Sequence, residues 1–199
     1  MKLMLFPHYD KFRRRTIDLA GIEPGHTVLD FGCGVGGLTE YVAERLSNRG
    51  TVVGVDIGHC QLETARDRLS SHKNVSFVRT SESGQLPFAS NSFDRIVSNL
   101  VFHLLDEKQK RTVLSEFRRI LKPGGVVVLA ESGKPYNLHG KWVWFQTKHV
   151  YMRIWEYERN ARDSFEGRLP KFVNAVGFDE VKIADRMRGH IDFYRCTKS

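Results

Sequence analysis

The residues best suited to chemistry form a glycine-rich turn at residues 27–37, with the sequence Thr-Val-Leu-Asp-Phe-Gly-Cys-Gly-Val-Gly-Gly. Glycines in such a turn allow positive φ and let a ligand approach the backbone, while a helix that follows offers free N–H groups and the positive end of its dipole. Gly32, Gly34 and Gly37 also fit the G-x-G-x-x-G pattern of dinucleotide-binding turns. The turn therefore predicts a nucleotide-like ligand, and NAD is one of the alternatives.

Two aspartates narrow the choice of ligand. Asp30 precedes Gly32 by two residues, and its carboxylate there would repel a pyrophosphate and attract an ammonium or sulfonium group. Asp56 ends the next predicted strand, where it can accept hydrogen bonds from two ribose hydroxyls. S-adenosylmethionine presents both a cationic end and a ribose. These residues favour it over NAD, and they count against a nicotinamide-dependent oxidoreductase.

Short β-branched runs alternate with longer amphipathic stretches, and these elements must position the turn and the aspartates. The predicted strands are Thr27–Phe31, Thr51–Asp56, Val75–Arg79, Phe93–Asn99 and Gly125–Glu131. The predicted helices are Tyr9–Ala20, Leu38–Leu46, Cys60–Ser70 and Glu107–Leu121, the last ended by Lys122-Pro123-Gly124-Gly125. A later helix at Leu169–Val176 precedes two strands, Phe178–Ala184 and His190–Thr197, joined by a hairpin turn. The alternation predicts βα units and a parallel sheet.

Four motifs in this order resemble the class I S-adenosylmethionine-dependent methyltransferases, and among them the ubiquinone/menaquinone-biosynthesis type of small-molecule enzyme. The motifs are Val28–Gly36, Val53–Asp56, Leu86-Pro87-Phe88 followed by Ser92-Phe93-Asp94, and Leu121–Gly125. The resemblance runs from about residue 22 to residue 131, with a weaker echo at residues 177–198. It implies one doubly wound, Rossmann-like α/β domain over residues 1–199: a mostly parallel seven-stranded sheet with an antiparallel last strand and helices on both faces.

The resemblance also implies roles for particular residues. Asp30, Gly32 and Gly34 would border the methionine moiety, Asp56 would hold the ribose, and Ile57 would flank the adenine. Glu82 and Ser83 would lie near the adenine amino group, although Ser81-Glu82-Ser83-Gly84 replaces the commoner Gly-Asp-Ala-Glu. Asn99 would face the methionine and the methyl group, and Tyr9 would cover the cofactor.

Methyl transfer from a sulfonium is an in-line displacement on an activated donor, so the protein mainly positions the reactants and excludes water. No metal is required, and the three scattered cysteines predict neither a zinc site nor a disulfide framework. A base would help if the methyl acceptor is a phenol or an acidic ring carbon. The candidate catalytic residues are His103, Tyr136 and His139, and each of the two histidines could instead have a structural role.

Residues 132–170 interrupt the alternation and differ in composition. They hold all three tryptophans and 8 of the 22 aromatic residues, with 7 Lys and Arg against 4 Asp and Glu. We interpret them as an aromatic, basic insertion on the substrate side, with a helix over Lys141–Tyr157. Its broad apolar face fits a core or dimer contact as well as a lid or membrane-facing surface. The composition favours a small hydrophobic or lipid-like methyl acceptor.

Composition restricts the remaining function classes. A chain of 199 residues with 41% hydrophobic residues is ordinary for one globular domain. It has no apolar run of the roughly 18 residues that a membrane-spanning helix needs, so we expect a cytoplasmic protein, with peripheral membrane contact as an option. The charge of +8 would suit nucleic acid, but Ser98-Asn99-Leu100-Val101 lacks the Asn-Pro-Pro-Tyr pattern of enzymes that methylate base amines. The chain could form a homodimer. The alternative function is that of a non-catalytic S-adenosylmethionine-binding protein that acts on a partner through its aromatic surface.

Overall fold

Strands and helices alternate along most of the chain up to residue 132, as the sequence predicts, except that two strands, Val75–Arg79 and Phe93–Asn99, follow one another with no helix between them. The computed structural model describes residues 9–142, 145, 163, 166–179 and 181–199. Its elements in chain order are α1 Tyr9–Ala20, β1 Thr27–Phe31, α2 Gly37–Leu46, β2 Thr51–Asp56, α3 His59–Arg68, β3 Val75–Arg79, β4 Phe93–Asn99, a short 3-10 turn Phe102–Leu104, α4 Glu107–Ile120, β5 Leu121–Ser132, α5 Leu169–Ala175, β6 Val181–Met187 and β7 Ile191–Thr197.

All seven strands form one sheet in the order β3-β2-β1-β4-β5-β7-β6. The pairs β1–β2, β2–β3, β1–β4 and β4–β5 are parallel, and β7 runs antiparallel to both β5 and β6. This is the predicted mixed sheet with an antiparallel last strand. The strand order reverses between β1 and β4, and ligands of open α/β sheets bind in the crevice at such a switch point.

The core lies on both faces of the sheet because successive side chains of a strand point to opposite faces. Leu29 of β1 packs with α4 and α5 on one face, whereas Val28 packs with α1 and α2 on the other. On β5, Val127 and Val128 divide between the faces in the same way. The predicted placement of helices on both faces is therefore confirmed.

The predicted start of β5 and the predicted bounds of β6, which is Val181–Met187 and not Phe178–Ala184, are wrong. β5 begins at Leu121, which pairs with Phe93, and not at Gly125. The register shifts between Phe93 and Arg95, so the predicted stop signal at residues 122–125 is a bulged start of the strand. The last hairpin turns at residues 188–190, not at residues 185–189, because Arg188 and Gly189 supply the positive φ values of 57° and 78° that a tight hairpin turn needs.

Of the insertion at residues 132–170, the structure describes only part. Residues 138–142 are helical, while most of the predicted helix Lys141–Tyr157 lies outside the described residues. Leu138, Trp142 and Phe145 expose 83%, 60% and 53% of their surface. Within the described part of the chain, no helix is long and apolar enough to cross a membrane.

Candidate functional site

A cavity of about 650 Å³ opens at the carboxyl ends of β1, β2 and β4, where the strand order reverses. Its described lining residues are Phe31, Gly32, Val55, Asp56, Ile57, Thr80, Ser81, Glu82, Gly84, Leu100, Val101, Leu104, Leu105, Asp106, Gln109 and Val113. Of the residues that the sequence singles out for a cofactor, four line it: Gly32, Asp56, Ile57 and Glu82. The apolar wall formed by the residues after β4 has no clear signal in the sequence.

Asp56 is held at the edge of the cavity by backbone N–H groups. Gly34 donates to its Oδ2 and Gly58 to its Oδ1, each at 2.9 Å. Gly34 has φ of 53°, a conformation that glycine adopts without strain. Each carboxylate oxygen can accept a second hydrogen bond. Asp56 can therefore keep both backbone contacts and still bind two hydroxyl groups of a ligand.

Gly32 is required by a close approach between two loops. Its N–H donates to the carbonyl of Val55 at 2.8 Å, and its φ is 72°. A Cβ at this position would lie 2.2 Å from Cγ2 of Val101, in the segment after β4. The glycine-rich turn and that segment therefore meet at Gly32, and no larger residue fits between them.

Asp30 lies beneath the glycine-rich turn and is only 1% exposed. The hydroxyl of Thr39, on α2, donates to its Oδ2 at 2.6 Å. Burial raises the pKa of Asp30 to about 7, and the charge of Asp56 raises it further, whereas the Thr39 hydrogen bond and Arg13 lower it. A bound cation would favour the ionised carboxylate, so this group suits the cationic end of a ligand.

Arg13 lies at the same end of the site, although the sequence analysis missed it. A Cβ on Gly37, at the first turn of α2, would lie 2.3 Å from the Arg13 guanidinium. That guanidinium also lies over the rings of Tyr9 and Tyr41, at 4.6 Å and 5.9 Å from their centroids. Tyr9 is not among the described lining residues of the cavity. The contact joins α1 to α2, and residue spacing alone cannot reveal such a contact.

Asn99 ends β4 with a buried amide nitrogen. Its Oδ1 accepts a hydrogen bond from the Thr16 hydroxyl at 2.9 Å. Its Nδ2 is buried and has no hydrogen-bond partner among the residues that the structure describes. A buried polar atom without a partner is costly, so a ligand atom at this position would stabilise it.

The two residues predicted near adenine have different surroundings. Glu82 lines the cavity, and its carbonyl accepts a hydrogen bond from Gln109 Nε2 at 3.0 Å. Ser83 is not among the described lining residues. Its Oγ lies 2.7 Å from the hydroxyl oxygen of Ser81, which does line the cavity. Of the two serines, Ser81 and not the predicted Ser83 therefore lines the cavity.

The three predicted catalytic residues are not brought together. His103 lies in the turn after β4, and its Nδ1 is 3.0 Å from Oε2 of Glu131, a fully buried residue. Tyr136 lies against the β6–β7 turn, where its hydroxyl accepts the N–H of Gly189 at 3.0 Å. His139 is exposed and stacks on Trp142, with ring centroids 6.5 Å apart. Glu131 was not among the predicted site residues, although an acidic residue that ends an apolar strand is a signal that could have revealed it.

Two other reactive groups lie near the site. Burial raises the pKa of the Cys33 thiol, which disfavours the nucleophilic thiolate and agrees with a packing role. The exposed residues His59, Cys60 and Glu63, at the start of α3, are the one group among the described residues that could together hold a metal ion. None of these three is among the described lining residues of the cavity. The prediction that no metal takes part stays a prediction.

Comparison with known proteins agrees with this geometry. A family described as "Methyltransferase domain" matches residues 28–125. The ubiquinone/menaquinone biosynthesis C-methyltransferase UbiE of Idiomarina loihiensis is 29% identical over 98% of this chain and 83% of its own length. A demethylmenaquinone methyltransferase of Staphylococcus aureus is 28% identical over 91% of this chain and 79% of its own length. The crystal structure of a SAM-dependent methyltransferase from Aquifex aeolicus is 18% identical and has a TM-score of 0.74 over 96% of this chain and 92% of that one.

The fold and these similarities make the chain a class I methyltransferase. More particularly, it is a methyltransferase that depends on S-adenosylmethionine.

The residues present fit the cofactor. Asp56, which lines the cavity, offers hydrogen-bond acceptors for a ribose. Asp30 and Asn99 are not among the described lining residues, and they offer a buried carboxyl for a cationic end and a buried amide nitrogen for a carboxylate. The volume of about 650 Å³ lies within the usual range for cofactor sites.

Proposed function

We propose that the chain transfers the methyl group of S-adenosylmethionine to a ring carbon of a small, hydrophobic, lipid-like methyl acceptor of the quinone type. The named activities of the relatives from Idiomarina loihiensis and Staphylococcus aureus support the quinone type. The structural observation that carries the proposal is the apolar wall of the cavity, formed by Leu100, Val101 and Leu104 directly after β4. Such a wall suits an apolar ring and excludes water from the reaction.

The chain's own residues would hold the cofactor and orient it. When bound, S-adenosylmethionine supplies a methyl group that is already activated by its sulfonium. Asp56 would accept hydrogen bonds from the ribose hydroxyls, and Asp30 would stabilise the cationic end. Arg13 and Asn99 Nδ2 would hold the methionine carboxylate. With one reactant fixed in this way, the barrier depends mostly on how well the methyl acceptor is aligned.

On the methyl-acceptor side, His103 would take the proton that the ring carbon loses. Tyr136 and His139 stay predicted catalytic residues, and Tyr136 also has a structural contact with Gly189. Leu138, Trp142 and Phe145 follow the spacing i, i+4, i+7 of one helix face and are more than half exposed. We place peripheral membrane contact at this face, because a lipid-like methyl acceptor would arrive from the bilayer.

In the first test, the purified wild-type protein and the variant Asp56→Ala are each titrated with S-adenosylhomocysteine. A parallel titration of the wild type with NAD is the control for the class of cofactor. We expect binding that is lost or much weaker in the variant and absent for NAD. Turnover is then measured against demethylated quinols and, as a second pool, amino lipids. Binding of S-adenosylhomocysteine without turnover on any acceptor would instead favour the non-catalytic alternative, and binding of NAD would overturn the class of cofactor.

Membrane contact is tested separately by sedimentation with vesicles. Wild type and Trp142→Ala are compared on phosphatidylcholine vesicles with and without anionic phosphatidylglycerol. Ile183→Ala is the matched control, since Ile183 is another exposed apolar residue, 41% exposed on β6. We expect Trp142→Ala alone to weaken binding. Equal binding by all three proteins would contradict membrane contact through this face and leave the methyl-transfer proposal standing.

A further inference from the structure

A buried carboxylate ties the turn after β4 to the end of β5. Glu131 is fully buried, and its Oε1 accepts the backbone N–H groups of Val101 and Phe102, the latter at 2.7 Å. Its second oxygen, Oε2, lies 3.0 Å from Nδ1 of His103. One carboxylate therefore fixes both the backbone of the turn and the imidazole that the turn carries.

This arrangement determines which nitrogen of His103 carries the proton. A carboxylate only accepts hydrogen bonds, so a neutral imidazole that bonds to Glu131 through Nδ1 must carry its hydrogen there. The lone pair is then on Nε2, at the opposite side of the ring. A base is useful only when its lone pair is on the nitrogen that meets the substrate, and a carboxylate at the other nitrogen achieves this.

The position of the turn connects this pair to the reaction. Val101 and Leu104, on either side of His103, line the cavity, although His103 itself is not among the described lining residues. Val101 also lies against Gly32, which borders the predicted methionine position. The Glu131 contacts with the turn therefore determine where the wall of the cavity lies as well as which way the imidazole points.

We propose that Glu131 is a positioning residue: it holds His103 as the Nδ1–H tautomer so that Nε2 can remove a proton from the methyl acceptor. The methyl acceptor is then a compound whose ring carbon carries an acidic proton. This rests on the proposed function. The carbon–sulfur bond of the sulfonium breaks as the new carbon–carbon bond forms, and the sulfonium becomes a thioether. The proton displaced from the ring carbon goes to Nε2, and the imidazolium, stabilised by Glu131, releases a proton to water.

The variant Glu131→Gln tests the tautomer directly. The amide oxygen of Gln would stay with the two backbone N–H groups, because they are donors. The amide NH₂ would then face Nδ1 of His103 and donate to it, so the imidazole hydrogen would move to Nε2. The matched control is Asp192→Asn, which changes a buried carboxylate on β7 that is paired in register with Glu131 but is held by Arg186 and Tyr194.

The first measurement is long-range ¹H–¹⁵N NMR of the neutral imidazoles, with the His103 signal among the eight histidines assigned by its loss in His103→Gln. We expect the Nδ1–H tautomer in wild type and Asp192→Asn, and the Nε2–H tautomer in Glu131→Gln. An Nε2–H tautomer in the wild-type protein would overturn the proposal even if the variant fails to fold. This readout needs no methyl acceptor.

The second measurement is turnover with the methyl acceptor found in the first screen. We expect kcat to fall by roughly 100-fold in Glu131→Gln and in His103→Gln, with no further loss in the double variant, because the two residues act as one base. S-adenosylhomocysteine affinity and the KM of the methyl acceptor should change little. Full turnover in Glu131→Gln would refute the positioning role, whereas failure of the wild type to bind S-adenosylhomocysteine would refute the proposed function itself.

Discussion

The two sides of the site hold their carboxylates in different ways. On the cofactor side, at the carboxyl ends of β1 and β2, Asp56 is held by backbone N–H groups of neighbouring glycines. On the methyl-acceptor side, at the carboxyl ends of β4 and β5, Glu131 also accepts two backbone N–H groups, those of Val101 and Phe102, but its second oxygen contacts the imidazole of His103. The carboxylate on the cofactor side is thus held by backbone groups of glycines, whereas the one on the methyl-acceptor side also fixes a side chain.

This difference predicts that glycine substitutions damage the cofactor side most. Gly32→Ala would place a Cβ 2.2 Å from Val101 at a φ of 72°. We expect S-adenosylhomocysteine affinity, measured by calorimetry, to fall by roughly 100-fold or more, because positive φ and overpacking each cost on the order of 1 to 3 kcal/mol.

Gly124→Ala is the control for the backbone strain alone. Gly124 has a similar φ of 74°, but nothing lies within 4 Å of its Cβ position, and it is remote from the described cavity lining. The Gly124→Ala variant should lose some stability and keep the full affinity for S-adenosylhomocysteine. Equal loss of affinity in both variants would show that the contact between Gly32 and Val101 does not matter for binding.

A smaller effect is expected from Asp56→Asn. The amide can accept one of the two backbone N–H groups but would oppose the other with its own NH₂. We expect S-adenosylhomocysteine affinity to fall by about 10- to 100-fold, the usual range for charge-assisted hydrogen bonds. Glu63→Gln, an exposed acid on α3, should bind as wild type does. If both variants bound equally well, Asp56 would not be the ribose partner.

The affinity for S-adenosylmethionine should depend on pH through Asp30. Burial raises the pKa of this carboxyl to about 7, so it is mostly protonated at pH 6 and ionised at pH 8. Because a cation favours the ionised form, affinity should rise by about ten-fold between those pH values. Calorimetric titrations of wild type and Asp30→Asn check this, and the variant should show no such rise.

The same group affects stability with the opposite sign in the absence of cofactor. Its folded pKa of about 7 lies above the value of 3.8 of an unperturbed Asp, so the folded protein holds the proton more tightly. The free energy of unfolding should therefore fall as pH rises from 3.8 to about 7, and it should change little through Asp30 above that. A wild-type affinity that stays flat from pH 6 to pH 8 would mean that Asp30 does not face the cationic end.

The smallest effect is expected on the methyl-acceptor side, in Tyr136→Phe. The variant removes the hydroxyl that accepts the Gly189 N–H. We expect the free energy of unfolding, from urea titration, to fall by about 1 kcal/mol while S-adenosylhomocysteine affinity is unchanged. Loss of methyl transfer with unchanged stability would instead support the predicted catalytic role of Tyr136.

The sequence predicts Gly32 and Asp56 on the cofactor side because each lies at the carboxyl end of a strand that the sequence shows. Gly32 and Asp56 lie at the ends of strands whose apolar patterns are plain, and parallel strands bring such ends to one edge. Arg13 and Glu131 were missed because their partners lie on other elements: Arg13 meets Gly37 across two helices, and Glu131 reaches back to His103. The start of β5 at Leu121 was missed because Pro123 and Gly124 suggest a turn, whereas pairing with Phe93 extends the strand.

The position of β7 has a consequence for how the chain folds. β7 is the last strand in sequence, yet it lies between β5 and β6, and β6 joins the sheet through β7. During synthesis, β5 therefore presents an unpaired apolar edge until the β6–β7 hairpin has formed and docks as a unit. An open edge of this kind pairs readily with other chains. The rate of hairpin docking thus sets how long a newly made chain is exposed to aggregation.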